Sequence, residues 1–346
     1  MDSETSRLAP LTPIAPLAPP QAPLGQRIFF GKDGLRPGWG LLCFIAILVL
    51  LGTAANFVTR HVLHHVPQHP AEQPPVPMVI GEVVSFGLVF LATWIMSRIE
   101  GRNVLSYGLA GTRRVSQFFA GLGWGVVFLS ALVGLLWKTG FLVFDGEMEF
   151  GVNAFRYGAL WLVGFLFVGL FEELLTRGYL LYTMARCVTS LVQWATKTRP
   201  SSAISFWFAA LITSGIFLLA HTSNKGESPF GLFSVLLAGL FFCLTLWRTG
   251  SLWWAIGFHA SWDWAQTFLF GVADSGMMGQ HHFLATHPVG KALLSGGATG
   301  PEGSVFLMVI LGLASVVAVW TLPEKGGGVL LVADEVTVPA PDLLGT

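Results

Sequence analysis

Three groups of ionisable residues stand in stretches of this chain that are otherwise apolar enough for a lipid environment. They are Glu172, Glu173 and Arg177 within GLFEELLTRGYLL at residues 169–181, His221 at the end of another apolar run, and His259 with Asp263 in a third. An ionisable side chain at bilayer depth costs roughly 2.5–3.5 kcal/mol on insertion scales. Their concentration in three runs therefore indicates one polar site on which they converge.

The spacing within two of these groups gives the orientation of their side chains. Glu173 and Arg177 are four residues apart, and so are His259 and Asp263, which places each pair on one face of a helix. A carboxylate one turn from an imidazole can fix its tautomer. Glu172 points about 100° away from Glu173 on a helix. Glu173 can therefore pair with Arg177 while Glu172 faces a cavity.

Together these residue types can hydrolyse a peptide bond. A partly buried glutamate suits a general base near neutral pH, a histidine can share the attacking water and move its proton, and donors aimed at the developing oxyanion stabilise it. This chemistry requires no serine or cysteine nucleophile. The chain contains no GxSxG sequence, and we interpret Cys43, Cys187 and Cys243 as small apolar residues.

Other functions remain open from the residues alone. Two histidines and a glutamate could bind zinc, although the chain has no HExxH sequence, so we predict no cofactor and no metal. The loop histidines, which could bind metal adventitiously, come without carboxylates at a ligand spacing; they are His61, His64, His65 and His69, and His281, His282 and His287. Intramembrane Glu, His and Asp also occur in transporters.

The elements that must position these residues are membrane-spanning helices. Of the 346 residues, 53% are hydrophobic and 11% are charged, which is typical of an integral membrane protein. We predict an all-α polytopic bundle of about eight spans, near 38–59, 79–97, 117–137, 158–180, 203–221, 230–247, 252–270 and 304–322. Glu82 and Lys138, near span ends, are expected to extend toward a membrane surface. The formal net charge of zero gives no indication of a nucleic-acid partner.

Loop charges predict the orientation, because cytoplasmic loops retain Lys and Arg. With the N-terminus inside, most basic residues fall on the inner side: Arg7, Arg27, Lys32, Arg36, Arg98, Arg102, Arg113, Arg114, Arg186, Lys197, Arg199, Arg248 and Lys325. The outer loops hold Arg60, Arg156, Lys225 and Lys291. Both termini are therefore expected in the cytoplasm.

The predicted organisation is a Pro-rich tail at 1–37, a bundle at 38–322 with a catalytic core near 155–270, and a C-terminal tail at 323–346. One conflict arises within it. His221 would lie about 27 Å along a span starting near Ala203, far in depth from Glu172. The convergence then requires a tilted span, a deeper helix start, or part of 181–202 embedded in the protein.

Three short motifs resemble those of the CPBP intramembrane proteases, which include the type II CAAX prenyl endopeptidases and the bacteriocin-processing or Abi-type proteins. EELLTR (172–177) is similar to EExxxR, FLLAH (217–221) to FxxxH, and HASWD (259–263) to HxxxN or HxxxD. The approach RTGSLWWAIGFH (248–259) is also similar. All three motifs occur in order over about residues 155–270.

The resemblance implies a glutamate-dependent endopeptidase in a membrane, expected in a bacterial inner membrane and acting on hydrophobic or lipidated peptides. Glu172 and His221 would activate the water, His259 with Asp263 would form the oxyanion site, and Glu173 and Arg177 would support the site or bind substrate. Where the prenyl-endopeptidase branch has Asn, this chain has Asp263. An ionised Asp cannot donate a hydrogen bond, so we expect Asp263 to orient His259. The alternatives are a non-proteolytic immunity or scaffold protein of the same fold and a zinc-dependent membrane protease.

Overall fold

The computed structural model describes residues 24–31, 34–63 and 72–323, and these are mainly helical. The α-helices are α1 (Leu24–Phe29), α2 (Pro37–Phe57), α3 (Pro75–Ile99), α4 (Arg114–Lys138), α5 (Gly151–Glu173), α6 (Leu181–Thr196), α7 (Ser202–Ala220), α8 (Pro229–Thr249), α9 (Trp253–Trp264), α10 (Ala292–Ser295) and α11 (Phe306–Thr321). Three π-helical segments adjoin them, Val58–Val62, Leu174–Leu180 and Ala265–Leu269. Short 3₁₀ turns cover Val104–Ser106 and Pro301–Gly303.

Strands form only three two-stranded pairs within the described residues. They are β1 (Phe30–Gly31) with β2 (Gly34–Leu35), β3 (Glu72–Gln73) with β5 (Met278–Gly279), and β4 (Leu142–Glu147) with β6 (Leu284–Pro288). The β3–β5 pair is parallel and the other two are antiparallel. The predicted all-α class therefore holds for the bundle, and the strands only connect its loops.

Six helices of the described part are long and apolar enough to cross a membrane. The fourth of them is one continuous helix, Gly151–Thr196, rather than the span predicted at 158–180. The seventh predicted span is α9 with its π segment, and the eighth is the 16-residue α11, which is shorter than the other six. The structure thus supports six of the eight predicted spans by length and composition. The predicted N-terminal tail up to residue 23, and the C-terminal tail from residue 324, lie outside the described residues.

The helix Gly151–Thr196 has 46 residues, which is roughly 70 Å of helix against a hydrocarbon core of about 30 Å. It cannot lie wholly within that core if it runs straight across. Its last part, α6, leaves Leu191 and Trp194 exposed beside Lys197 and Arg199. This combination is typical of a membrane interface.

Close backbone contact holds α9, which carries two of the predicted site residues, against α4. A Cβ atom at Gly125 would collide with the Phe258 carbonyl and the Ser261 hydroxyl, and one at Gly257 would collide with the Phe118 carbonyl. Small residues let helix backbones approach within membranes, where packing rather than hydrophobic burial drives association. The depth and rotation of α9 are therefore set by glycines on both helices.

Buried apolar side chains form two large clusters that hold the bundle. One joins α2, α3, α6 and α7 and includes Phe44, Met96 and Phe206. The other joins α4, α8, α9 and α11 and includes Leu132 and Trp254.

The helix ends form two opposite faces, and three links define the first, which we call the basic face. Tyr179 Oη donates to Glu100 Oε1 (2.9 Å) at the end of α3. Leu252 N donates to Gly108 O (2.8 Å), which joins the loops that precede α9 and α4. At the ends of α8 and α11, Arg248 donates to the carbonyl of Leu322 (2.6 Å).

We call the opposite face the strand face, because β3–β5 and β4–β6 lie there. These pairs join the start of α3 and the end of α4 to the segment after α9. Thr299 Oγ1 donates to Gly226 O (2.7 Å), which ties the loop before α11 to the loop between α7 and α8. Consecutive spans of the bundle therefore run in alternating directions between the two faces.

Candidate active site

Glu173 and Arg177 form the ion pair that their spacing predicts. Arg177 Nη1 lies 2.9 Å from Glu173 Oε1, and the two side chains are 1% and 0% exposed. The guanidinium also lies over the Phe217 ring, 4.3 Å from its centroid. The pair bridges the junction where α5 passes into the π segment Leu174–Leu180, and π segments within helices are frequent at functional sites. Charge at this depth is therefore neutralised locally.

His259 is held between carboxylates on both sides of its ring. Its Nδ1 lies 3.1 Å from Glu173 Oε1, and its Nε2 lies 3.6 Å from both Glu172 Oε2 and Asp263 Oδ2. A carboxylate oxygen accepts hydrogen bonds, so contact with Glu173 places a proton on Nδ1. The ring is stacked on Phe242, 5.0 Å between centroids. Nε2 is consequently the ring nitrogen directed at Glu172 and Asp263.

His221 follows the last turn of α7 as its C-terminal cap. Its Nδ1 lies 2.8 Å from the Phe217 carbonyl oxygen, which can only accept, so Nε2 is left with a free lone pair in the neutral ring. Among the described residues, no hydrogen bond or ion pair joins His221 to Glu172. Instead, the two side chains line a common cavity.

This cavity has a volume of about 1150 Å³ and is lined by four of the six predicted residues: Glu172, His221, His259 and Asp263. Glu173 and Arg177 lie behind its wall, in contact with His259 or with each other. Helices α5, α7 and α9 all line the cavity. Glu172 and His221, which the sequence placed at different depths, therefore face the same cavity without touching each other. Met78, Trp161 and Phe165 give it apolar walls.

Sequence reasoning missed three further carboxylates on the cavity wall, Glu82, Asp274 and Glu302. Glu82 was expected to extend toward a membrane surface, but the packing of α3 against α5 directs it to the cavity. Asp274 and Glu302 lie in the segment between α9 and α11, outside every predicted span, so a search for charges within spans passes over them. Lys225 is the single Lys or Arg on the wall.

Asp263, Asp274 and Glu302 form an acidic cluster, with one carboxylate oxygen from each within 4.8 Å of the others. Burial, and then the neighbouring Glu302 and Glu172 carboxylates, raise the pKa of Asp274 well above its usual range. Burial likewise raises the pKa of Glu302. Glu302 accepts from Trp262 Nε1 (3.2 Å) and Ser275 Oγ (3.3 Å). These bonds compensate only part of the effect of burial on the pKa of Glu302.

The acidic cluster is the one set of three His, Cys, Asp or Glu residues in the described part whose donor atoms could hold a metal ion together. An all-oxygen set suits Mg²⁺ or Ca²⁺ rather than zinc. The zinc set considered from the sequence, Glu172 with His221 and His259, does not form such a group.

The loop histidines have carboxylate partners that the sequence did not indicate. His281 Nδ1 lies 2.8 Å from Glu149 Oε1, and His287 Nδ1 lies 2.8 Å from Asp145 Oδ2. These partners lie more than 130 residues away in the sequence, and they come close because β4 pairs with β6 and aligns the two loops. They form exposed pairs, and not a three-ligand group. His64, His65 and His69 lie outside the described residues.

One known family matches the part of the chain that contains the candidate site. Residues 154–265 match the family model of the type II CAAX prenyl endopeptidase Rce1-like proteins. The matched range contains all six predicted site residues and extends from the first turn of α5 to the end of α9. No curated protein and no solved structure matches the chain. With its six apolar helices, the chain is an integral membrane protein whose residues 154–265 match the Rce1-like CAAX protease family.

Proposed function

We propose that this protein is an intramembrane endopeptidase that hydrolyses a peptide bond with a water activated by Glu172 and His221. The observation that supports this most directly is the arrangement of His259. Glu173 holds its Nδ1 (3.1 Å), and its Nε2 is directed at Glu172 (3.6 Å). The carboxylates of Glu172 and Asp263 and the imidazoles of His221 and His259 therefore line one cavity within the membrane helices, which is a set able to move protons and bind an oxyanion.

The proposed reaction starts with a water between Glu172 and His221. Glu172 accepts a proton from the water as its oxygen attacks the carbonyl carbon of the substrate. The free Nε2 of His221 accepts the other water hydrogen in a hydrogen bond and so orients the attack. Glu172 then transfers its proton to the leaving amine as the carbon–nitrogen bond breaks. General acid–base groups of this kind contribute roughly 10²–10⁴-fold in rate.

His259 is proposed to stabilise the oxyanion by donating from a protonated Nε2. Glu173 accepts from Nδ1 and fixes the ring, which is the orienting role that we had expected of Asp263. Asp263 lies instead near Nε2 (3.6 Å), on the side of the cavity. Arg177 holds the Glu173 carboxylate in place by their 2.9 Å contact. Asp263 therefore helps to hold a proton on Nε2 rather than donating to the oxyanion itself.

The cavity walls favour a hydrophobic peptide, either apolar in sequence or lipidated, as substrate. Met78, Trp161 and Phe165 cover one side of the cavity, and Leu307 and Leu311 contribute to another. A bacterial inner membrane is the proposed location, and the bilayer is the other partner.

The decisive experiment compares cleavage by the wild type with cleavage by Glu172→Ala and His221→Ala. Candidate substrates would first be collected by comparing membrane proteomes with and without the active protein. Glu147→Ala and His287→Ala, on the exposed β4 and β6 strands, are matched controls. We expect both site variants to lose activity by about 10²-fold or more, and both controls to retain it.

Retention of wild-type cleavage by both site variants would contradict the assignment. A folded wild type that cleaves no membrane substrate would favour the non-proteolytic alternative. Loss of activity in a chelator, restored by zinc, would favour the metal-dependent alternative.

A further inference from the structure

The cavity is built from the strand-face halves of its helices. Its lining includes Gln73 before α3, Ser223 and Lys225 after α7, Ser275 after α9, and Leu307 at the start of α11. Each of these positions lies at the strand face, because α3, α8 and α11 begin there and α7 and α9 end there. None of the lining residues comes from α2, α4, α6 or the loops of the basic face. The cavity therefore continues toward one side of the membrane.

The two faces differ strongly in their balance of basic and acidic residues in the described part of the chain. The basic face has a single acid, Glu100, against nine basic residues: Arg36, Arg98, Arg102, Arg113, Arg114, Arg186, Lys197, Arg199 and Arg248. The strand face has five basic residues, Arg60, Lys138, Arg156, Lys225 and Lys291, against the acids Glu72, Asp145, Glu147, Glu149, Glu227, Asp274 and Glu302. Retention of Lys and Arg in the cytoplasm makes the basic face the cytoplasmic one.

From these observations we propose that the active-site cavity opens away from the cytoplasm, and that the substrate is a transmembrane or exported hydrophobic segment presented from that side. A cytoplasmic C-terminal tail would meet the basic face, from which no residue reaches the cavity. The statement about the substrate rests on the proposed function. The direction in which the cavity opens does not depend on that function.

The depth of the catalytic residues sets where the substrate is cleaved. Trp161 Nε1 donates to Gln280 O (3.0 Å), so Trp161 lies level with the strand-face loops. Glu172 follows eleven residues later in the same helix, about 16 Å deeper. An extended peptide advances about 3.3 Å per residue. The scissile bond therefore lies roughly five residues inside the segment, counted from the strand-face end.

Cysteine accessibility tests the direction of the opening. Cys43, Cys187 and Cys243 would be replaced by Ala, and Ser223→Cys at the cavity mouth compared with Ser116→Cys at the start of α4, both exposed positions. In intact cells, a membrane-impermeant maleimide should label the first variant strongly and the second only after permeabilisation. The reverse pattern overturns the proposal. If the cysteine-free chain does not accumulate, labelling above that of the unmodified chain serves the same purpose.

A second measurement tests the route of the substrate. External maleimide on Ser223→Cys should reduce cleavage several-fold, whereas the same label on Thr222→Cys, exposed but outside the cavity lining, should reduce it little. Equal activity after labelling at the two positions contradicts entry from this side. If Glu172→Ala cleaves like the wild type, the proposed function fails while the labelling result still stands.

Discussion

Two groups of charged residues lie on opposite sides of the His259 ring and differ in how their buried charge is compensated. On the Nδ1 side, Glu173 is fully buried and paired with Arg177 at 2.9 Å. On the Nε2 side, Asp263 lies within an acidic cluster with Asp274 and Glu302 that has no Arg or Lys within it. The first group is neutral overall and sealed. The second concentrates like charge against an open cavity.

This difference indicates that the two groups have different roles: the ion pair holds the structure, and the acidic cluster responds to the conditions in the cavity. Removing one partner of a buried ion pair leaves an uncompensated charge, which is strongly destabilising. The Glu173–Arg177 pair that holds the His259 imidazole is therefore costly to break. Crowded carboxylates retain protons at higher pH than isolated ones. The acidic cluster is therefore the part of the site that responds to pH and to cations, while the pair stays constant.

Removing the cation of the sealed pair should have the largest effect. Arg177→Met keeps the bulk of the side chain but leaves Glu173 unpaired among Phe217 and its neighbours, so we expect a loss of about 3–5 kcal/mol in the free energy of unfolding. Thermal unfolding in detergent measures it. The double variant with Glu173→Gln should lose less than the sum of the single losses. A loss in Arg177→Met of under about 1 kcal/mol would show that the pair is not a structural clamp.

Displacing α9 should disturb both groups together, because this helix carries His259 and Asp263. Gly125→Leu would collide with the Phe258 carbonyl, and overpacking of this kind costs about 1–3 kcal/mol. Gly123→Leu is the matched control, since a Cβ there meets nothing within 4 Å. We expect lower thermal stability and lower activity in the first variant only. Equal behaviour of the two variants would mean that helix proximity does not set the position of His259.

Neutralising one acid of the cluster should have the smallest effect and the opposite sign. The folded-state pKa of Asp274 is raised, so the folded protein holds a proton that the unfolded chain releases near pH 4. Stability is then lost as pH rises from there toward the folded pKa. Asp274→Asn removes this loss, and we expect a gain of about 0.5–2 kcal/mol at neutral pH, with a flatter dependence of melting temperature on pH.

The control for this variant is Asp145→Asn on β4, where the carboxylate is about half exposed and paired with His287. Melting temperatures of all three proteins would be recorded from about pH 5 to about pH 8, with and without Mg²⁺ or Ca²⁺. If divalent cations stabilise the wild type and Asp274→Asn loses that effect and becomes less stable, the cluster is a cation site. The two groups would then differ in their counterion, which is Arg177 for Glu173 and a bound divalent cation for the acidic cluster.

Local spacing accounts for what could be predicted of the site. The Glu173–Arg177 contact follows from helical periodicity alone, and the nearness of His259 to Asp263 follows in the same way. The meeting of the three runs was inferred from the cost of burying charge, which identifies the residues without giving their partners. That Glu173, rather than Asp263, holds Nδ1 depends on the rotation of α9 against α5, which no local pattern encodes.

The remaining differences have tertiary causes. Asp274 and Glu302 are brought to the cavity by the fold of the long segment after α9, and Glu82 by the packing of α3 on α5. The span at 158–180 was bounded by hydropathy, whereas the helix itself continues to Thr196 because α6 packs against α7 and α2. The helices themselves were predictable, because apolar runs of sufficient length have few other structures available in a bilayer.

The π segment Leu174–Leu180 has a consequence for every residue that follows it in the same helix. Its hydrogen bonds span five residues rather than four, so it takes up additional chain without ending the helix. Because each residue of an α-helix turns by about 100°, deleting one residue here to restore regular geometry would rotate Tyr179 and Tyr182 away from Glu100 and Arg102, which they now contact. The rotation of the whole second half of this helix, and hence its fit to the basic face, is therefore set directly after Glu172 and Glu173 of the candidate site.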